Sequence, residues 1–237
     1  MQKTWIETHV WRPQFYKRPM LIVTFDDGRP SDYEAATDQR GITGTSYVNT
    51  SVVDTDDFLT WSEIKEMLKR GWDVQCHAHE HLYLTTLTEE ALRQQFILSD
   101  EAFSFQGLAK PIHHANPYGD TNVAARAIIS DYRTTQRAGA GGVLTFDEID
   151  FQRITAMPAD MQTVIHYNNI LNAVRSAFAE NKILVIYLHR LEDTPTNPYR
   201  CVKEYFWGVM DYALDLGMPI WSIDAMYNYV SYYNTLQ

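Results

Sequence analysis

Four short polar groups in the chain have residue types and spacings suited to chemistry. Thr24-Phe25-Asp26-Asp27-Gly28 sets two adjacent carboxylates beside a glycine. Adjacent residues leaving a strand point to different sides, so the two carboxylates can do different jobs around one site. A solvated turn is the plain alternative, because Asp-Asp-Gly is also good turn chemistry. His77-Ala78-His79-Glu80-His81 places three histidines within five residues. His77 and His81, at i and i+4, would share one face of a helical turn and grip one metal, whereas His77 and His79 would suit an extended segment. With Asp27, two such histidines make the two-imidazole, one-carboxylate set of a catalytic zinc or non-haem iron site, which leaves positions open for water and substrate. Pro117-Tyr118-Gly119 is the third group. The fourth is His189, which ends the apolar run ILVIYL and is placed to trade protons near neutral pH or, alternatively, to serve as a hydrogen-bonded structural histidine.

Each group falls directly after a segment that reads as a buried strand. Short apolar runs alternate with stretches of helical periodicity, the pattern of repeated β-α units. Met20–Phe25 and Ile183–Leu188 are the strongest strands; residues 44–48, 72–76, 110–114, 132–135 and 220–223 read as shorter ones. Helices are expected over residues 31–39, 60–69, 89–105, 122–130, 168–180 and 205–216. In the second of these Thr60 caps the N-terminus and Glu63 stands in capping-box position. About seven β-α units with no internal repeat or linker predict one (β/α) barrel, in which active-site residues sit at the C-terminal ends of strands. The four polar groups obey that rule.

At 237 residues, with 45% hydrophobic residues and a formal charge of −10, the chain has enough apolar sequence for a substantial core. Its acidic balance argues against nucleic acid as the main partner and suits a neutral or weakly cationic ligand such as a glycan. Cys76 and Cys201 lack CxxC spacing and read as two buried thiols, pairing being the alternative only if the fold brings their Cα atoms within about 7 Å. The first nineteen residues have no apolar run of signal-peptide length, and no segment approaches 18 uninterrupted apolar residues, so no membrane span is expected and localisation stays open.

Taken together, TFDDG, GITGTSYV, LTWSEIKEMLKRGWDVQCHAHEH, NPYG and a YLH after a buried strand resemble the polysaccharide deacetylases of carbohydrate esterase family 4, which share the NodB homology domain. The resemblance runs over about residues 18–230 and implies a single domain over 1–237 with a distorted, TIM-like (β/α)7-8 barrel. It implies removal of acetyl groups from an N- or O-acetylated carbohydrate by a metal-dependent hydrolase. Carried over by position, Asp26 matches the general base, Asp27, His77 and His81 the metal ligands, and His189 the general acid. Tyr118 matches the residue whose backbone N–H helps hold the oxyanion, and Pro117, Tyr118 and Leu188 the substrate-contacting positions. The implied cofactor is a divalent metal, most consistent with Zn2+, and the implied partner an acetylated glycan.

Two departures stand against this pattern. The arginine that many relatives carry three residues before the Tyr of PYG is here Ala115, which leaves Asp26 without its expected cation; Arg153 is the candidate to replace it, with a plain surface arginine as the alternative. An Asp-Trp pair expected before the last histidine is not evident. A glycan-binding module silenced by these losses and a metal-dependent amidase on the same barrel are the alternatives. Specificity is expected from residues 30–38, 120–122, 139–150 and 192–200, with 138–142 (AGAGG) as either a flexible loop near the mouth or a plain surface connection. Trp61, Trp72, Tyr118, Tyr187, Trp207 and Trp221 are candidate sugar-stacking rings, most of them expected in the core.

Overall fold

A computed structural model describes residues 17–235. Most of the N-terminal segment read above for a leader lies outside the described residues. In chain order the strands are β1 (Met20–Phe25), β2 (Thr45–Val48), β3 (Asp73–Cys76), β4 (His113–Ala115), β5 (Thr135–Ala140), β6 (Val143–Leu144), β7 (Ile154–Pro158), β8 (Ile183–Leu188), β9 (Leu191–Glu192), β10 (Cys201–Val202) and β11 (Ile220–Trp221). The helices are α1 (Pro30–Thr37), α2 (Trp61–Lys69), α3 (Glu89–Phe105), α4 (Val123–Ile129), α5 (Val164–Ala179), α6 (Lys203–Asp215) and α7 (Ile223–Thr235). Seven parallel strands, β1, β2, β3, β4, β5, β7 and β8, pair in that order, and β8 returns to β1 to close the barrel. β1 and β8 form the longest seam, from Met20 opposite Ile183 to Phe25 opposite Leu188. β11 runs parallel to the start of β1, and β6 lies antiparallel to the start of β8.

Strand alternation decides which side chains reach the site. In β1, Leu21, Val23 and Phe25 pack outward with Val174, Phe206 and Val209 of the surrounding helices. Met20 and Ile22 pack inside the barrel with Tyr47, Ala115, Ile183 and Val185. The inward set therefore continues through Thr24 to Asp26, through Thr135 to Arg137 and through Gln75 to His77. Burial of both faces explains why β1 and β8 read as unbroken apolar runs.

The sequence reading and the structure agree closely where periodicity is strong. β1, β8 and α3 have the expected bounds, and α2 begins with a complete capping box, Thr60 accepting from the Glu63 N–H while the Glu63 carboxylate accepts from the Thr60 N–H. Elsewhere the expectation fails. β5 runs over 135–140 rather than 132–135, and β7 and α7 were not anticipated. The helix expected over 31–39 is present as α1, one residue earlier at its start and two shorter at its end. Residues 138–142 are no free loop: Gly139 rises beside Gly119, and a Cβ on Gly142 would meet the Met157 N at 2.6 Å, so this stretch packs against β7. Both cysteines are buried and free. Among the described residues no helix is long and apolar enough to cross a membrane.

Candidate active site

The TFDDG turn owes its shape to two left-handed residues. Asp27 has φ 77° and Gly28 φ 70°. A Cβ on Gly28 would stand 2.8 Å from Val48 Cγ1, so only glycine lets the chain pass β2 there. The turn sends Asp26 into the barrel and Asp27 toward the loop after β3.

Asp27, His77 and His81 meet there, with one ligand-type atom from each lying within 4.8 Å of the others. Asp27 Oδ1 is 3.6 Å from His77 Nε2 and 3.4 Å from His81 Nε2, and it is buried without a hydrogen-bond partner. The His77 ring bonds the Ala115 carbonyl through Nδ1 at 2.8 Å. A carbonyl only accepts, so Nδ1 carries the proton and Nε2 presents a lone pair toward Asp27. Burial pushes the His77 pKa down to about 4 although Asp26 and Asp27 oppose it, so the ring is neutral at physiological pH. An orphaned carboxylate oxygen facing two imidazoles, one of them in the metal-binding tautomer, fits a divalent cation in both donor type and protonation.

The two histidines do not meet by the route expected of them. Residues 77–82 are not helical; Ala78, at φ 66°, breaks the extended chain and folds His81 back over His77, their ring centroids 5.1 Å apart. His79 is turned away and bonds Thr50 Oγ1 through Nδ1 at 2.8 Å.

Asp26 is buried, and its two oxygens both accept from Arg137 Nη2 at 2.5 Å. Burial alone would raise the Asp26 pKa, but the Arg137 charge outweighs it, helped by His77 and His189, and the carboxyl lies below its usual range. Arg137 is itself fixed by two aromatic faces, its guanidinium carbon 4.7 Å from the Tyr187 ring centroid and 5.5 Å from that of Tyr47. Of the two readings of Arg153, the surface one holds, and the replacement cation is Arg137. Arg153 is exposed, beyond the Asp150 turn, while Arg137 occupies the place beside Asp26. The sequence signal for Arg137 was its inward parity on β5, visible only once that strand is extended past residue 135.

β1 and β8 end side by side, the Asp26 N–H donating to the Leu188 carbonyl at 2.9 Å, so His189 emerges next to Asp26. Asp160, two residues beyond β7, accepts from the His189 N–H at 3.0 Å and holds the ring nitrogen Nδ1 at 2.7 Å. Burial lowers the imidazole pKa, but the Asp160 hydrogen bond and charge, with Asp26 and Asp27, outweigh it and raise the value to about 9. Asp160 thus supplies a carboxylate partner between the PYG turn and the last histidine, followed by Met161 in place of the tryptophan of the expected Asp-Trp pair.

Tyr118 has φ 59° and is 57% exposed at the mouth. Pro117 and Leu188 offer a ligand no comparable surface. Both are buried, and Leu188 faces outward into the helix-packed core, against the substrate-contact expectation. Of the six aromatic candidates only Tyr118 is exposed; Trp72 is buried and the other four are half-buried.

Comparison with known proteins places the chain. The family model described as Polysaccharide deacetylase matches residues 15–136. The chain belongs to the polysaccharide deacetylase family. Solved structures of similar fold include the Xyl-CE4 domain of a multidomain xylanase from the hindgut metagenome of Trinervitermes trinervoides, at 14% identity over 89% of this chain and 90% of that one, TM-score 0.61. A second is the T48 deacetylase with substrate, at 16% identity over 90% and 92%, TM-score 0.61. A third is BC0361, a polysaccharide deacetylase from Bacillus cereus, at 24% identity and TM-score 0.51. The match to BC0361 covers 57% of this chain but only 46% of that relative, so the chain spans less than half its length. No curated protein matches the sequence. The barrel is the deacetylase-family fold, closed by seven parallel strands.

Proposed function

We propose that the protein is a metal-dependent hydrolase that removes acetyl groups from an N- or O-acetylated carbohydrate, with Asp27, His77 and His81 as ligands to a divalent metal, most consistent with zinc. One arrangement carries the reading: the orphaned Asp27 oxygen faces two imidazoles, with a carboxylate held charged by Arg137 on one side and an imidazole held protonated by Asp160 on the other.

A divalent metal bound there would polarise an acetyl carbonyl and acidify a water molecule. The protein's own residues do the rest. Asp26, ionised beside Arg137, accepts the proton that water gives up as its oxygen attacks the acetyl carbon. The backbone N–H of Tyr118 serves as donor to the developing oxyanion. His189, with Nδ1 committed to Asp160, keeps Nε2 to protonate the sugar nitrogen or oxygen as its bond to the acetyl carbon breaks. Acetate and the free amine or hydroxyl leave. The two carboxylic and imidazole groups thus hold opposite protonation states at neutral pH, as acid–base catalysis by a pair requires.

The presence of Arg137 and Asp160 weighs against a silenced scaffold, because Asp26 has a cation supplied from β5 and His189 has a carboxylate partner. The test is acetate release from acetylated chitin-type, peptidoglycan, exopolysaccharide and xylan oligomers by zinc-loaded protein. The expected result is release on at least one class, abolished by chelation and by Asp26→Asn. Tight zinc binding with no release on any of the four would overturn the catalytic reading.

A further inference from the structure

Beside the metal-ligand candidates stands an exposed aromatic surface that joins Tyr118 of the PYG turn to Tyr83, a residue to which no motif gives a role. Tyr83, in the segment after His81, stacks on Tyr118 with ring centroids 4.0 Å apart and planes 11° from parallel. Tyr118 in turn meets the His81 ring at 4.3 Å, and its hydroxyl reaches the His81 carbonyl at 3.4 Å. Both tyrosines are more than half exposed, at 54% and 57%, and Leu82 beside them is 38% exposed. Large apolar side chains left open together next to a reaction centre mark a contact surface.

The stack is built, not incidental. Asp120, just after the PYG turn, accepts from the Thr85 N–H at 2.8 Å and from Thr85 Oγ1 at 2.9 Å, which locks the segment carrying Tyr83 to the segment carrying Tyr118. Tyr118 keeps its place only by holding a left-handed backbone, a cost that surrounding contacts must offset. The result is a ring with one face on Tyr118 and the other turned away from it, joined through Tyr118 to the His81 ring.

We propose that Tyr83 forms a subsite for the pyranose ring next to the one being deacetylated, so that the enzyme favours neutral oligomers over single sugars. A ring of axial C–H groups stacks on an aromatic face, and the phenol adds a hydrogen-bonding edge. The exposed side chains Leu82, Tyr83 and Tyr118 carry no charge, which suits a neutral glycan. The assignment rests on the deacetylase reading of the site.

The experiment compares zinc-loaded wild type, Tyr83→Ala and Tyr83→Phe on N-acetylated or O-acetylated oligosaccharides of two to five sugars. Binding by calorimetric titration is measured separately from acetate release. Tyr83→Ala is expected to raise KM and Kd for the four- and five-sugar ligands at least fivefold, with kcat within twofold, while Tyr83→Phe stays within twofold of wild type. Binding that depends on Tyr83 without acetate release would sink the deacetylase reading and leave the subsite standing. Acetate release with oligomer KM unchanged in Tyr83→Ala would overturn the subsite, as would a fall in kcat at constant KM, which marks damage to His81. Absence of both binding and turnover on every glycan would overturn both.

Discussion

Arg137 is the cross-strand partner of Ala115. The two residues stand opposite each other in the β4–β5 ladder, and both point into the barrel. An arginine expected on β4 has therefore moved one strand over, and the small Ala115 side chain leaves room for the Arg137 guanidinium to cross to Asp26. The cation arrives beside the rings of Tyr47 and Tyr187, which help to hold it against Asp26.

The first prediction concerns this pair. Arg137→Lys keeps a charge but loses the planar fork and its aromatic stacking. The Asp26 carboxyl pKa should rise, moving the acid limb of the kcat/KM profile upward and lowering turnover at neutral pH at least tenfold, about 1.4 kcal/mol of barrier. Arg153→Ala should leave both within twofold. Arg137→Met would strand a buried charge and cost on the order of 3–5 kcal/mol of stability. A pH–rate series with thermal melts on the three variants decides it; an unmoved acid limb in Arg137→Lys would refute the role.

The second prediction follows from Asp160. His189 acts as an acid only while protonated, and its pKa of about 9 puts loss of that proton on the alkaline side. Activity should fall as pH rises through that value, or somewhat lower once a metal cation is bound nearby. Asp160→Asn removes the negative partner and should move the alkaline limb toward the ordinary histidine value of about 6.5. The same shift should appear in the His189 imidazole resonances by NMR. An identical alkaline limb in the variant would count against the assignment.

Much of this site was legible in the sequence because the motif residues sit at the ends of the strands with the clearest apolar runs. β1 delivers Asp26 and Asp27, and β8 delivers His189. The partners were not legible, for a physical reason. Arg137 lies on a strand whose central sequence, Gln-Arg-Ala-Gly-Ala, has neither β-branched residues nor alternation to mark it. Asp160 follows β7, a strand of five residues ending in proline, that no apolar run announces. The pairing of His77 with His81 was anticipated on helical geometry, yet a left-handed Ala78 achieves it, and one sequence gives no sign of that conformation.

A third prediction is that protein without metal loses stability on mild acidification. An unfolded chain protonates His77 near pH 6.5, whereas the folded chain resists until about 4. Its neutral form thus adds nothing above about 6.5, and folding is penalised increasingly as pH falls between the two values, by on the order of 3 kcal/mol at the lower end. Urea melts of apo wild type and His77→Gln across pH 4–7 test this. The variant should show a shallower decline; parallel curves would mean another group governs it.

The fourth prediction separates the two constraints on Gly28. Gly28→Ala must adopt φ near +70° and bring its Cβ to 2.8 Å from Val48 Cγ1. Strain of this kind costs about 1–3 kcal/mol, and the displaced turn carries Asp27 away from His77 and His81. Zinc affinity by competition with a chromophoric chelator should fall at least tenfold along with the melting temperature. Adding Val48→Ala removes the Cγ1 contact but not the backbone strain. The double variant should recover zinc affinity more fully than stability, because metal binding depends on where the turn sits and stability also on the conformation it must hold. Equal recovery of both, or none of either, would show that the Gly28–Val48 contact does not set the position of Asp27.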